Sequence, residues 1–180
     1  METLYHSLKE DLQRFGALRP TTWEFLLSRL HAVNLQAGER FPRREGQIAY
    51  VRTGLLKEHD AYERRYPAIV NFLAERSFFM SNSVNIHHYL EAGVPTQVLY
   101  LQAEPLWLYQ YKELASSWNA LIQQYETGIF FRQYLLEIKD TTARIEAFKT
   151  QFRACLKYLL KKEMANYLNI GYHHFIRIYR

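Results

Sequence analysis

Apolar residues recur with different periods along the chain, and each period predicts a different kind of structure. Helical spacing predicts a first helix over residues 4–15 and a second helix after Pro20. Thr21 and Glu24 have the spacing of a capping box at the start of the second helix, which is strongly apolar and extends to Val33. We expect both helices to pack against the segment that follows.

From Asn34 onwards, glycine and proline separate short runs rich in β-branched and aromatic residues. Short strands with turn residues between them predict an antiparallel sandwich or roll. Residues 47–58 are expected to form two strands of a tight hairpin, because Gly54 supplies the positive φ that such a turn needs. The predicted strands are 47–52, 55–58, 68–73, 97–102 and 106–111.

The next stretch, 113–138, has little glycine or proline and predicts one long helix. Four of its apolar positions have the a/d spacing of a helix that meets a partner along a narrow seam. They are Leu114, Trp118, Leu121 and Tyr125. A helix lying on its own sheet shows the same spacing, so the seam indicates either dimerisation or internal packing. Gly128 is expected to mark a bend.

Helical spacing returns at the C-terminal end. Asp140 predicts an N-cap, and the helix after it has Ile145, Phe148, Phe152 and Leu156 on one face. Residues 160–180 then show one helix face, a tight turn and a second helix face. Asn169 suits the turn because asparagine enters the left-handed conformation cheaply, and the small Ala165 lies where the second helix would press on the first. This pattern predicts a helix-turn-helix, although a hairpin packed on its own domain has similar spacing.

Charge separates this end from the rest of the chain. Residues 1–120 hold 13 basic and 13 acidic residues, so the formal net charge of +5 belongs to residues 121–180. Between positions 149 and 180, seven basic residues stand against one acid, Glu163. A basic end on a neutral body is the electrostatic footprint of a phosphate-binding module.

Other residue types exclude several classes of protein. The single cysteine, Cys155, allows no internal disulfide or cysteine-ligated cluster, and its apolar helical face indicates packing. His87 and His88 are adjacent, so they should point apart as a surface pair, and we expect no metal site. There is no nucleophile with a placed base and no glycine-rich phosphate loop, so an enzyme is the least supported class and no cofactor is expected. The N-terminus lacks a signal-peptide pattern, and no apolar run approaches the ~20 residues of a membrane span, which predicts a soluble cytoplasmic protein.

The C-terminal stretch LKKEMANYLNIGYHHFIRIYR resembles the DNA-binding end of the Crp/Fnr family of bacterial transcription regulators. The resemblance implies an α+β fold of N-terminal helices and an antiparallel β-roll of the double-stranded β-helix, or jelly-roll, type. It divides the chain into a cyclic-nucleotide-binding-like sensor domain over 1–112, a linker and dimerisation helix over 113–139, and an all-α helix-turn-helix domain over 140–180. It also implies a homodimer that binds double-stranded DNA.

On the family's pattern, the second helix would enter the major groove with Arg177 placed to bridge O6 and N7 of a guanine. The exposed face of that helix would offer Tyr172, His173, Ile176, Arg177 and Arg180, and phosphates would be contacted by Lys157, Lys161 and Lys162. Gly171 stands where relatives usually have serine or threonine. The sequence ends at Arg180, so we expect no β-hairpin wing and fewer phosphate contacts than many relatives make.

In relatives that bind cyclic nucleotide, a loop after the middle of the sheet holds the phosphate with a glutamate and an arginine. Here Met80 and Ser81 stand at the place of the glutamate, and residues 77–102 contain no lysine or arginine. A phosphate would lack a cation, so we do not expect cyclic nucleotide, and the effector is unknown. The polar residues of the stretch either bind a neutral ligand or satisfy their own loop backbone. They are Ser81, Asn82, Ser83, Thr96 and Gln97.

Two functions follow from these features. The first is a DNA-binding transcription regulator that does not respond to cyclic AMP. The alternative is a ligand-independent β-roll dimer that acts as a protein-interaction module without sequence-specific DNA binding, which the apolar Tyr172 and Ile176 favour.

Overall fold

The structure is a computed structural model that describes residues 2–104, 107 and 110–179. Helices α1 (Glu2–Phe15) and α2 (Pro20–Leu27) come first. A long helix α3 (Lys112–Glu137) follows the strands and leads to α4 (Thr141–Gln151), a 3-10 turn (Leu156–Tyr158), α5 (Lys161–Tyr167) and α6 (Tyr172–Ile178). The strands are β1 (His31–Leu35), β2 (Gln47–Thr53), β3 (Leu55–Asp60), β4 (Ala68–Ala74), β5 (Phe78–Met80), β6 (His88–Ala92) and β7 (Thr96–Gln102). Within the described part of the chain, no helix is long and apolar enough to cross a bilayer.

The strands form two antiparallel sheets, one in the order β1-β7-β2-β5 and the other in the order β4-β3-β6. β2 and β3 therefore belong to different sheets, and the predicted hairpin between them is wrong. Gly54 does have the positive φ, 93°, but it carries the chain from one sheet to the other. A Cβ at Gly54 would lie 2.5 Å from Thr96 Oγ1, so β7 passes too close to this turn for a larger residue.

Most other predicted elements are confirmed, including the strands now called β2, β3, β4 and β7, while β1, β5 and β6 were not predicted. Val33 lies in β1, because the second helix ends earlier than its apolar run suggested. The predicted capping box is wrong, since α2 starts at Pro20 and its N-cap, Arg19, makes no side-chain hydrogen bond. In the predicted strand 106–111, Trp107 and Gln110 are helical, and residues 106, 108 and 109 lie outside the described residues.

The sheet of β3, β4 and β6 buries a core on each face. On one face, Leu56 and Leu90 pack with the other sheet and α3. On the opposite face, Leu55 and Phe72 pack with the C-terminal helices. The most deeply buried residues of that second core are 0–2% exposed, and each fully buried large apolar side chain contributes about 1.5–3 kcal/mol. They include Ile145, Phe148, Met164, Tyr167, Leu168 and Phe175.

The predicted seam on α3 packs largely inside the chain. Leu121 and Tyr125 are 5% and 4% exposed and belong to the cores beneath the helix. Internal packing, one of the two alternatives for this spacing, therefore holds for both residues. α3 continues without a break through Gly128, where a Cβ would lie 3.0 Å from Asn71 Oδ1. The glycine allows β4 to approach the helix closely.

Polar contacts fasten α5 to the second sheet. Lys57 Nζ lies 3.0 Å from Glu163 Oε1 on α5 and 2.7 Å from Glu91 Oε1 on β6. Burial alone would lower the pKa of Lys57, but its hydrogen bonds to Glu91 and Glu163 outweigh burial and raise it. The side-chain amide of Asn166 accepts the Ile69 N–H at 2.6 Å and donates to the Pro67 carbonyl at 3.1 Å.

Candidate nucleic-acid interface

The C-terminal helices α5 and α6 are joined by the turn 168–171, as the apolar spacing predicted. Asn169 adopts the left-handed conformation with φ 52°, and the N–H of Ile170 donates to the carbonyl of Ala165 at 2.9 Å. Ala165 is 2% exposed, so its small side chain lets the helices meet closely. Gly171 is the N-cap of α6, and a Cβ there would meet nothing within 4 Å, which leaves room for serine or threonine.

One face of α6 is open to solvent. Tyr172 is 49% exposed and Ile176 is 37% exposed. His173 and Arg177 are also exposed, and these four positions share a face because they are one and four residues apart. Phe175, on the opposite face, is fully buried and anchors the helix. The structure therefore brings together four of the five residues predicted on this helix, and the fifth, Arg180, lies outside the described residues.

Arg177 has a neighbour that the sequence did not single out. Its Nη2 lies 3.1 Å from Nδ1 of His174, one helical turn earlier. Both side chains are exposed. With its lone pair on Nδ1, His174 accepts this hydrogen bond, and the contact directs the guanidinium along the helix. The spacing of three residues on a helix was the sequence pattern that could have indicated the pair.

Several lysines lie on the elements that precede α6. Lys157 lies in the 3-10 turn, and Lys161 and Lys162 open α5, all of them exposed. The ring of Tyr179, just after α6, lies 5.6 Å from Lys161 Nζ and 4.6 Å from Lys149 Nζ. Tyr179 thus places the end of α6 beside lysines of α5 and α4. We call Lys149, Lys157, Lys161 and Lys162 the basic rim.

The polar residues predicted for a ligand pocket are spread over two places. In the loop 81–87, Asn82 Oδ1 accepts the backbone N–H groups of Val84 and Asn85, both at 3.0 Å, and Ser83 is exposed. At the start of β7, Thr96 Oγ1 bonds to the backbone of Leu55 at 3.1 Å. Gln97 bonds to Arg52 and, at 2.8 Å, to Asn34. Most of these contacts satisfy the chain's own backbone and neighbouring strands.

Ser81, the remaining member of that set, belongs to a buried network around Arg43. The side chain of Arg43 is 5% exposed and that of Glu58, 3.0 Å away, is 0% exposed. Arg43 also donates to Ser81 Oγ and to the Met80 carbonyl, both at 2.9 Å. The hydroxyl of Tyr125 on α3 donates to Glu58 Oε1 at 2.6 Å. The guanidinium of Arg43 therefore supplies a cation beneath the loop 81–87. It lies outside residues 77–102, the stretch in which the sequence shows no lysine or arginine.

The charges of this network compensate each other. Burial raises the pKa of the Glu58 carboxyl, but the hydrogen bond from His88 and the charge of Arg43 outweigh burial, and the pKa lies below its ordinary value. Asn85 Nδ2 completes the network by donating to the Tyr125 hydroxyl at 3.0 Å. No local sequence pattern indicated this pair, because Arg43 and Glu58 are 15 positions apart and only the fold brings them together.

Two further expectations concern single residues. His87 and His88 do point apart, but the pair is not wholly on the surface, because His88 Nδ1 lies 3.1 Å from Glu58 Oε1. The prediction of a surface position is therefore wrong for His88, because its ring bonds to the buried carboxylate of Glu58. Cys155 is 3% exposed in the core under α5, and burial raises the pKa of its thiol to about 11.

Comparison with known proteins identifies the fold. No protein-family model and no curated protein sequence matches the chain. Among solved structures, it is similar to FixK2 from Bradyrhizobium japonicum, with a TM-score of 0.68, 15% identity, and coverage of 83% of this chain and 82% of that one. It is also similar to a putative transcriptional regulator of the Crp/Fnr family from Eubacterium rectale, with a TM-score of 0.65, 14% identity, and coverage of 89% and 82%. TTHB099, a CRP-family transcriptional regulator from Thermus thermophilus, matches with a TM-score of 0.62, 12% identity, and coverage of 81% of both chains. The similarity to these structures gives this chain, with its two antiparallel sheets and its helices, a Crp/Fnr-like fold of the cyclic-nucleotide-binding type.

Proposed function

We propose that the protein is a dimeric DNA-binding transcription regulator whose helix α6 enters the major groove. The observation that carries the proposal is the open face of α6, where Arg177 stands exposed beside Tyr172 and His173 while Phe175 anchors the helix in the core. In this proposal, residues 140–180 form the DNA-binding domain, and α5 with α6 is its helix-turn-helix. The structural neighbours described as transcription regulators support the assignment.

Side chains on this surface have separate roles in the proposal. Arg177 contacts a guanine edge, because a guanidinium matches its O6 and N7 acceptors with two parallel donors. Tyr172 and His173 reach the backbone or neighbouring bases. The basic rim contacts phosphates, which adds affinity without sequence preference.

The decisive experiment is selection of duplexes from a random library, followed by binding titrations at several salt concentrations. We expect a palindromic site whose affinity falls steeply with salt. Arg177→Ala should weaken binding by about 1–3 kcal/mol and relax the preference at one base pair. Lys162→Ala should weaken binding to all duplexes similarly. It should also reduce the slope of log K against log salt concentration by about one, because one phosphate contact is lost.

A matched control is available near the N-terminal helices. Arg29 is an exposed arginine just after α2, and its guanidinium lies 4.0 Å from the ring of Phe25, which packs with α1 and the first sheet. Arg29→Ala should leave the preferred sequence unchanged. Unaltered binding by the double variant Arg177→Ala/Lys162→Ala would refute this surface as the interface.

Dimerisation through α3 is part of the proposal, on a stripe other than the buried seam. Ala115, Ile122, Ile129 and Leu136 recur every seven residues and are only partly buried by the chain itself. Such a repeat is the pattern of a helix pair packed side by side. Light scattering should give a dimer mass for the wild type and a lower mass for Ile122→Glu, with Gln123→Glu, an exposed neighbour, unchanged. A monomeric wild type would contradict the dimer.

We also propose that cyclic AMP is not the effector. The donors of Arg43 are directed to Glu58, Ser81 and the Met80 carbonyl, so the buried guanidinium has an internal partner for its charge. A phosphate would have to displace Glu58, which would leave a buried carboxylate without its cation. Adding cyclic AMP to the DNA titration should not change the affinity, and a stimulation would contradict this view.

The second candidate is a protein-interaction module. Tyr158 and Leu160, on the segment that leads into α5, are 40% and 55% exposed, and Tyr172 and Ile176 on α6 are exposed as well, so the C-terminal helices carry several exposed apolar side chains. Aromatic and aliphatic residues of this kind are typical anchors of protein interfaces. In this case the same library selection would yield only weak binding without sequence preference.

A further inference from the structure

A polar pocket lies where the loop between β3 and β4, the last turns of α3 and the turn 168–171 meet. It encloses about 430 Å³, which is within the range found for small-molecule sites. Among its described lining residues there are two arginines and two asparagines, and none is acidic. The polar side chains of that lining are Arg64, Tyr66, Arg132, Asn166 and Asn169. They belong neither to the basic rim nor to the open face of α6.

Arg132, on α3, is the residue that indicates a ligand. It is partly buried, and within the described part of the chain its guanidinium makes one hydrogen bond, from Nε to the Tyr167 carbonyl at 3.0 Å. The ring of Tyr167 lies 5.7 Å away, and no described carboxylate forms an ion pair with Arg132. A partly buried cation normally has a counter-charge, because removal from water is costly. Arg132 therefore has both Nη groups available for an anion from outside the chain.

Arg64 adds a second cation from the loop between β3 and β4. Its Nε lies 2.9 Å from Asp60 Oδ2, so its charge is compensated in part, while its side chain stays 49% exposed. Burial lowers the pKa of the Arg132 guanidinium, and the charge of Arg64 lowers it further, since both groups line one pocket. The pocket thus has an excess of positive charge, with donors from two separate elements.

We infer that this pocket binds a phosphate group. Two guanidinium groups on different elements suit an anion with at least three acceptor oxygens, because each guanidinium can donate two parallel hydrogen bonds. A carboxylate has only two oxygens, which a single guanidinium satisfies. Asn169, exposed in the turn 168–171, supplies a further amide donor.

Two sources can supply this phosphate. One is free phosphate in solution. The other is the backbone of bound DNA, because Asn169 and Gly171 of the pocket directly precede Tyr172, the first residue of α6. The DNA source rests on the proposed function, whereas the free source does not. In either case the bound group joins the loop between β3 and β4 and the end of α3 to the turn before α6.

The first arm of the test is a titration of the full chain with inorganic phosphate, followed by NMR at constant ionic strength without DNA. Free phosphate as the source predicts saturable binding, at least about tenfold tighter than the binding of acetate. Arg132→Gln keeps a donor for the Tyr167 carbonyl and removes the charge, so it should weaken phosphate binding by at least about tenfold. Arg29→Gln, at an exposed arginine away from the pocket, is the matched control and should bind as the wild type does.

The second arm measures duplex binding at several salt concentrations. The DNA backbone as the source predicts that Arg132→Gln weakens binding to all duplexes alike and lowers the slope of log K against log salt concentration by about one. Arg29→Gln should leave both quantities unchanged.

A second variant does not depend on a partly buried position. Tyr66 lines the pocket and is 72% exposed, so Tyr66→Glu should fold normally and repel an anion from the site. It should weaken binding in the same arm as Arg132→Gln, and it decides alone if Arg132→Gln does not fold.

The inference stands if the folded variants weaken binding in at least one arm while Arg29→Gln does not. It is overturned if either folded variant binds phosphate and DNA as the wild type does, or if the wild type binds neither. A wild type that binds phosphate but no DNA would refute the proposed function and leave the phosphate arm to decide this site.

Discussion

Replacing Arg43 by methionine should destabilise the protein strongly and in a way that depends on pH. The change keeps the length of the side chain but removes its charge and donors. Glu58, whose side chain is 0% exposed, would then stay buried without its cation. Ser81 Oγ and the Met80 carbonyl would also lose a donor at 2.9 Å.

The magnitude follows from the burial of the pair. Removing one partner of a buried ion pair costs about 3–5 kcal/mol, most of it the penalty of the remaining charge. His88 and Tyr125 still bond to Glu58 Oε1 in the variant, which places the expected loss toward the lower end of that range. The double variant Arg43→Met/Glu58→Gln should recover about half of the loss, because the uncompensated charge is gone.

The dependence on pH has a definite sign. In the wild type the pKa of Glu58 is lowered, so the ionised carboxylate stabilises the folded state above its unfolded pKa, and this contribution disappears as the pH falls through the folded value. In Arg43→Met, burial without the cation raises the pKa of Glu58 above its unfolded value. The variant should therefore be most impaired near pH 7, and its deficit relative to wild type should shrink by about pH 5.

The assay is urea denaturation at both pH values, with Arg44→Met as the control. Arg44 is the adjacent arginine but its side chain is exposed, so its replacement should change stability by no more than about 0.5 kcal/mol. A loss below about 1 kcal/mol for Arg43→Met, or a deficit independent of pH, would refute the buried pair as described.

Three further predictions test separate features. The Tyr167 hydroxyl is buried without a partner, so Tyr167→Phe should be neutral or stabilise by up to about 1 kcal/mol in thermal melts, and a clear loss would contradict this. Gly54→Ala should cost more than about 2 kcal/mol because its Cβ would strike β7, whereas Gly38→Ala, with φ 87° in open space, should cost only about 1 kcal/mol. With its thiol buried and its pKa raised to about 11, Cys155 should react with thiol reagents at the rate of unfolding, and fast labelling of native protein would disprove its burial.

The sequence predicted the C-terminal helices well because the residues that set their turn, crossing and buried face lie close together along the chain. Asn169 at a left-handed turn position, Ala165 at the helix crossing and Phe175 on an apolar face are all set within a few residues of one another. The same holds for Asp140, which accepts the N–H of Thr142 at 3.1 Å as an N-cap should.

Features that depend on distant partners were predicted less well. The sheet that a strand joins is decided by pairing across many residues, so β2 and β3 gave the pattern of a hairpin while pairing with other strands. Arg43 and Glu58 resemble surface residues in the sequence, and only the fold brings them together in the core. The close approach of β4 to α3 at Asn71 depends likewise on Gly128, a position 57 residues further on that the sequence suggested as a bend.

The bonds that Asn166 makes to β4 have a consequence for how the protein behaves at high concentration. β4 is the outermost strand of its sheet, and a free outermost strand invites pairing with another molecule. By occupying the Ile69 N–H and the Pro67 carbonyl, Asn166 blocks part of that edge. Any movement that lifts α5 from the sheet would expose a template for aggregation, so the same amide that positions a helix also keeps the molecules apart.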